Sequence, residues 1–442
     1  MAMESKNGSR SPEKMPLRKA AQTELSVLKL IQARPSISRI ELAHEAGLST
    51  AAITGVVNAL SERNLLVEGT INSVNVGRKR VGLRLARTLG YVIGVDLGTF
   101  NLRIAVTDLN GEPLAQRQIA TEMSQGRPAV LARCFAQIRE VIAEAGVSAQ
   151  EIRGIGVAFS GVIDLEKGMI LSYPRPGFME SWRNVPLREI CELEFGVPCV
   201  LEDSVRAIAM MERSRGNGRN YQDFVYVDVG MGVGATIFIH GKVYRGCNGS
   251  AGEFGHITVD ENGPLCCCGS YGCLEALASG ARIIETVQTA LAKGVSSRVL
   301  EMAGGDPQQI TIEMIALAAT EGDSLSYRAL SESAKHLGAA TANLVNLLNP
   351  EAIIFGGAVF RAAPDFMLEQ LSGMVRHRAM EKSVNDVALR KAETLSDAGA
   401  LGIATITAGT IMDAVYGEGA QKSIAASAQP AAEFGVGARR GT

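Results

Sequence analysis

The 442-residue chain has no apolar run of the ~20 residues that a membrane-spanning helix requires, so an integral membrane protein is not expected. Its first twenty residues carry Lys6, Arg10, Lys14, Arg18 and Lys19 but no apolar stretch, which excludes the pattern of a secretory signal. Eight cysteines in a chain of this length fit a disulfide framework poorly. The consecutive Cys266, Cys267 and Cys268 suit metal ligation in a reducing compartment instead. Apolar residues are not scarce: 46% hydrophobic against 20% charged excludes wholesale disorder. A soluble cytoplasmic protein is expected, with two or three domains of roughly 100–200 residues each.

Net charge is small too, at −2, but unevenly spread. Residues 1–88 hold 14 Lys and Arg against 7 Asp and Glu, and the remainder hold 30 against 39. A small basic unit joined to a larger acidic one suggests a polyanion-binding module attached to a second function. The expected boundaries are a disordered tail over 1–19, a basic domain over 20–88 and a large domain over 89–416. Within the large domain, one lobe takes about 89–202 with 398–416 and the other about 203–397. A second disordered tail, rich in Ala, Gly and Ser, takes 417–442.

In the basic unit, Leu25, Leu28 and Ile31 fall on one helical face that Pro35 ends. Ser38-Arg39-Ile40-Glu41 has the form of a capping box opening a short helix that stops near Gly47. Ser49 or Thr50 then caps a third helix with Ile53, Val56, Val57 and Leu60 on its apolar side. A short helix, a Gly turn and a capped amphipathic helix describe a helix-turn-helix. Its outer face carries Thr50, Thr54 and Asn58, groups able to meet base edges or phosphates in a major groove. Leu65–Ile71 and Val81–Leu85 read as strands flanking Gly77-Arg78-Lys79-Arg80, a wing with three cations for the DNA backbone. Double-stranded DNA is the expected partner, bound by at least a dimer because such modules meet paired half-sites.

From Tyr91 the pattern becomes α/β. A strand to Asp96 is followed by Leu97-Gly98-Thr99, a second strand to Asp108 and a Leu109-Asn110-Gly111 turn, where Asn-Gly accepts positive φ at both positions. The device recurs at Phe224–Val229 with Asp228, the loop glycines Gly230, Gly232 and Gly234, a strand to His240 and a Gly241-Lys242 turn. Asp96 and Asp228 lie 132 residues apart, so the unit reads as an internal duplication: two lobes whose glycine loops can cradle phosphates. A third pair, Gly356-Gly357, follows the strand Ala352–Phe355; it fits an adenosine seat and equally a plain strand-to-helix junction.

Val197–Leu201 reads as a strand ending at Glu202-Asp203, where a carboxylate can cap the next helix or accept a proton from a substrate hydroxyl. Further on, His256, Cys266, Cys268 and Cys273 can close a tetrahedral Cys₃His zinc site, a structural one because four protein ligands leave no open position for water. That closed shell also argues against a zinc hydrolase.

These residues resemble the ROK family (repressors, open reading frames and kinases). The His256–Cys273 spacing matches its zinc signature, and the flanking Gly-Glu-Phe-Gly-His and Cys-Leu-Glu match its sugar-site segments. Asp96-Leu97-Gly98-Thr99, Asp203 and the glycines at 230, 232 and 234 align with its other landmarks over residues 90–412. A winged helix ahead of such a domain resembles its sugar-responsive regulators, among them glucose, N-acetylglucosamine and xylose repressors. The resemblance implies a winged helix-turn-helix followed by an actin-like ATPase fold, a duplicated ribonuclease-H-like domain of two α/β lobes. It implies sugar contacts from Gly161, Glu202, Asp203, Glu253, His256 and Glu275, with Asp203 as a residual or vestigial catalytic base. It further implies nucleotide contacts from Asp96, Gly98, Thr99, Gly230, Gly232, Gly234, Gly356 and Gly357.

Several positions depart from the kinase pattern. Glu202 stands where the kinases have Asn, Val205 where Asn is common, and Ser160 where proline often precedes Gly161; the first loop has one Gly fewer. The expected function is therefore a sugar-responsive, DNA-binding regulator, a repressor of carbohydrate-utilisation genes acting as a homodimer or homotetramer with structural Zn²⁺. The alternative is an ATP-dependent sugar kinase with an accessory DNA-binding module, and ATP with Mg²⁺ enters only if kinase activity is retained.

Overall fold

The computed structural model describes residues 17–71, 80–173, 181–393 and 397–416. By internal contacts the described residues form two units, 17–90 with 408–416, and 91–407. Both expected tails, but for the start of the first helix, lie outside the described residues, as does the 72–79 wing turn with Arg78 and Lys79.

The smaller unit contains α1 (Leu17–Ala33), α2 (Arg39–Ala46), α3 (Thr50–Glu62) and the antiparallel strands β1 (Leu66–Ile71) and β2 (Arg80–Leu85). Ser38 and Glu41 form the expected capping box, satisfying two free amides at the start of α2. Gly47 closes that helix at φ +63, a conformation that would strain a side chain. Leu28, Ile31, Leu42, Ile53, Val57 and Leu60 are fully buried, so the apolar stripes of the three helices meet in one core. This is a winged helix-turn-helix.

The larger unit carries two sheets of the same design. The first contains β3 (Tyr91–Leu97), β4 (Asn101–Asp108), β5 (Pro113–Ala120), β6 (Ile152–Phe159) and β9 (Cys199–Asp203), in the order β5-β4-β3-β6-β9. A small hairpin, β7 (Val162–Asp164) and β8 (Met169–Ser172), follows β6. The second sheet contains β10 (Phe224–Val229), β11 (Val233–Ile239), β12 (Lys242–Val243), β13 (Ala352–Gly356) and β14 (Ala388–Lys391), in the order β12-β11-β10-β13-β14. In each, an antiparallel hairpin (β3–β4, β10–β11) is extended by parallel strands from later in the chain. That match is the duplication expected from the 132-residue offset.

The Asn110-Gly111 turn differs from expectation. Gly111 has φ +76, whereas Asn110 does not adopt positive φ. Asp108 Oδ1 accepts from the amides of Asn110 (2.9 Å) and Glu112 (3.0 Å), and that side-chain turn replaces the mirror-image one.

Helices α4 (Arg127–Glu144) and α5 (Leu187–Phe195) belong to the first lobe, and α6 (Ser204–Arg215) leaves β9 toward the second. The last helix runs from Ala398 to Tyr416, and 18 of its residues are apolar enough to qualify as a membrane span, although 61% of that window is buried in the protein. Against the expected boundary, residues 408–416 group with the smaller unit, where Lys29 Nζ pairs with Asp413. The unbroken apolar helix offers no sequence signal for that division. Earlier in the helix, backbone packs on backbone. A Cβ at Gly94 of β3 would stand 2.0 Å from the Ala400 carbonyl oxygen, and one at Gly402 would stand 1.8 Å from that of Ala207.

Candidate functional site

On the smaller unit, Ser49 is the N-cap of α3, its side chain accepting from Ala52 N at 3.2 Å. Thr54 Oγ1 donates to the Thr50 carbonyl at 2.8 Å. Asn58, exposed near the end of the helix, has Oδ1 held at 3.0 Å by both terminal nitrogens of Arg39, which also donates to Glu68 on β1 at 2.7 Å. Arg39, which sequence reasoning passed over, thus ties the candidate recognition helix to the first strand of the wing. Arg80 opens β2.

In the larger unit, His256, Cys266, Cys268 and Cys273 converge, their ligand atoms all within 4.8 Å of one another. His256 Nδ1 lies 3.6 Å from Cys266 Sγ, and the sulfurs of Cys268 and Cys273 are 3.7 Å apart. Tetrahedral zinc with Zn–S bonds of ~2.3 Å needs sulfurs ~3.7 Å apart, so the donor set fits that ion. Burial, with the thiols of Cys268 and Cys266 close by, pushes the Cys273 thiol up to about 12. A divalent cation would reverse that penalty by favouring thiolates. Cys267 points elsewhere, donating to Glu275 Oε1 at 3.4 Å.

Beside this cluster lies a cavity of about 210 Å³. Gly161, Asp203, Glu253, His256 and Glu275 all line it, joined by Ser160, noted in the sequence only as a departure from the kinase pattern, and by Tyr173, Arg206 and Ser250, which sequence reasoning did not identify. Glu275 is shared: Oε2 accepts from Val233 N at 2.9 Å, which ties the cysteine-rich segment to the glycine loop between β10 and β11. Asp203 caps α6 through Arg206 N at 3.0 Å. Burial above all, reinforced by the carboxylates of Glu202 and Glu253, pushes its carboxyl up to about 6. The site therefore gathers carboxylates and an imidazole, groups able to accept hydrogen bonds from hydroxyl donors.

Glu202 does not join them. Consecutive strand residues face opposite ways, so with Asp203 in the cavity Glu202 turns behind it. It is 2% exposed and paired with Arg206 Nη1 (3.3 Å) and Arg245 Nη2 (2.5 Å).

The profile of the ROK family matches residues 92–409, and that of a winged helix-turn-helix DNA-binding domain matches residues 21–67. The chain belongs to the ROK family. The xylose repressor of Caldicellulosiruptor bescii is 31% identical over 356 residues, 80% of this chain and 88% of the relative. The transcriptional dual regulator NagC of Escherichia coli K12 is 31% identical over 339 residues, 76% of this chain and 80% of its own. Among solved structures, a ROK family transcriptional regulator homologous to E. coli Mlc superposes with TM-score 0.72 at 29% identity, covering 90% of this chain and 98% of that one. A ROK glucokinase from Streptomyces griseus, solved with glucose and AMPPNP, gives TM-score 0.62 at 29% identity, over 72% and 99%.

This ROK protein has a second, adjoining cavity of about 720 Å³ lined by Asp96, Gly98, Thr99, Gly230, Gly356 and Gly357. Gly357 sits at φ +87, where a Cβ would strike Val229 at 2.5 Å, so only glycine fits this strand-to-helix junction. The loop glycines divide: Gly232 and Gly234 face the smaller cavity, contrary to their expected place in the nucleotide set. The chain reverses between Gly230 and Val233, and Gly234 already belongs to β11. The first loop is internally engaged. Asp96, buried, accepts from Arg103 at 3.1 Å and Ser204 at 3.2 Å, while the hydroxyls of Thr99 and Tyr173 bond each other.

Proposed function

We propose that this ROK protein is a sugar-responsive transcriptional repressor whose effector, a monosaccharide, binds in the smaller cavity. The observation that carries this reading is the convergence of Asp203, Glu253, His256 and Glu275 in one pocket, on a chain that also holds a winged helix-turn-helix. Ionised carboxylates accept hydroxyl protons, and a ring of such acceptors selects a polyol over an apolar or anionic ligand. The relatives named for xylose repression and for glucose binding support the same ligand class.

His256, Cys266, Cys268 and Cys273 would hold structural zinc. With Nδ1 toward the thiols, His256 leaves its other ring nitrogen for the sugar side, and the braced loop presents Glu253 and Glu275. Operator duplex would take α3 in its major groove and the wing cations, Arg78, Lys79 and Arg80, on its backbone. A homodimer or homotetramer would engage paired half-sites in the cytoplasm, controlling genes of carbohydrate use. A melting-temperature screen with xylose, glucose and N-acetylglucosamine, run with and without operator DNA, tests this reading. It is supported if one sugar raises the melting temperature and changes operator affinity. If no sugar has either effect, the assignment is wrong.

A further inference from the structure

The segment 245–252 lines the smaller cavity with its last four residues, 249–252, and leads directly into Glu253, which also lines it. It belongs to the second lobe, where Ala235 N of β11 donates to its Gly252 carbonyl at 3.0 Å. Charged side chains hold it as well. Arg206 Nη2 donates to the carbonyls of Gly249 and of Ala251 (3.0 Å), while Nη1 reaches Glu202. Arg245 Nη2 donates to the second oxygen of Glu202 at 2.5 Å. Glu202 lies on β9, the edge strand of the first lobe, one residue before Asp203.

We propose that Glu202, acting through Arg206 and Arg245, is a latch that fastens the 245–252 loop of the second lobe to the edge of the first and so sets sugar affinity without touching sugar. The inference rests on the sugar-site reading above. The latch and the ligand join the same two elements: a sugar held between Asp203 and Glu253 spans β9 and the end of the loop, as the Glu202 pairs do from the opposite face of β9. A site already closed by the latch spends less of its ligand's binding energy on ordering the loop.

The two arginines are unequal. The side chain of Arg206 is 8% exposed and also holds the Gly249 and Ala251 carbonyls, so removing it would undo more than the Glu202 pair. The side chain of Arg245 is 42% exposed and regains water when it leaves, while Glu202 keeps Arg206 as counter-charge. Arg245 is therefore the half that releases, and the one to test.

In Arg245→Ala, amides of residues 245–252 should exchange with deuterium about tenfold faster in the empty protein. The Kd for the sugar that stabilises the wild type should weaken about tenfold, equivalent to ~1.4 kcal/mol, and the protection gained on binding should become larger. Arg245→Lys should restore part of each. Unchanged loop exchange in the folded Arg245→Ala protein overturns the latch whether or not any sugar binds. Faster exchange with unchanged Kd overturns its coupling to the ligand and leaves the sugar-site reading intact. A wild type that binds no sugar sinks that reading, while the exchange measurement still decides the latch.

Discussion

Sugar binding should fall away in mild acid, through Asp203. Burial pushes its carboxyl group up to about 6, with Glu202 and Glu253 adding to the rise, so it loses its charge well above the ordinary carboxylate range. If the ionised form accepts the sugar hydroxyls, about 97% of sites are competent at pH 7.5 and about 9% at pH 5.0, which weakens Kd about tenfold. Stability of the empty protein moves the other way. A carboxyl whose folded pKa exceeds its ordinary 3.8 opposes folding when ionised, so this group favours the fold more as pH falls from about 7 toward 4. Asp203→Asn keeps a capping oxygen for α6 and removes the titration. Its Kd should be weaker at pH 7.5 and flat with pH, and its melting temperature without sugar at least as high as the wild type's. Calorimetry at pH 5.0, 6.0 and 7.5, with metal content checked at each pH, makes the measurement. A wild-type Kd constant over this range, or the same slope in Asp203→Asn, would refute the reasoning.

Purified protein should contain about one zinc per chain by elemental analysis; Cys266→Ser or Cys273→Ser should lose it, and Cys267→Ser should keep it. Replacing Arg78, Lys79 and Arg80 together should weaken operator binding and flatten its log-salt slope by up to about one unit per lost contact, as read by fluorescence anisotropy. With ATP, Mg²⁺ and a sugar that binds, coupled-assay ADP release should be negligible, because Arg103 and Ser204 already engage Asp96 and Thr99 is bonded to Tyr173. Turnover of about one per second or faster, as in working kinases, would promote the kinase alternative.

Much of this architecture is legible in the residues. The repeated strand–glycine loop–strand unit at 91–108 and 224–239 announces paired lobes, because short continuous apolar runs bounded by turn residues are local properties. The Cys₃His spacing announces its own convergence, since a short glycine-rich segment brings Cys266 and Cys268 to Cys273. What spacing hides is direction. Glu202 belongs beside Asp203 in the chain yet behind it in space, and strand alternation already contained that answer. Gly232 and Gly234 part from Gly230 because the chain reverses between them. Arg39 and Arg103 escaped notice because their partners, Asn58 and Asp96, come from other turns or strands and are set by tertiary register. Nor does any residue near Ala408 mark where the last helix changes company.

The tight seat of that helix bears on how the chain is made. Gly94 is synthesised early and its neighbour Ala400 about three hundred residues later. At ~5–20 residues per second, the ribosome leaves roughly 15–60 s between them. Throughout that interval the β3 face of the first lobe waits without its covering helix, and Gly94 without the backbone that packs on it. Ribosome-bound chains that stop short of Ala398 should therefore hold a protease-sensitive first lobe, and chaperones that shield nascent apolar surface should find their longest-lived target there.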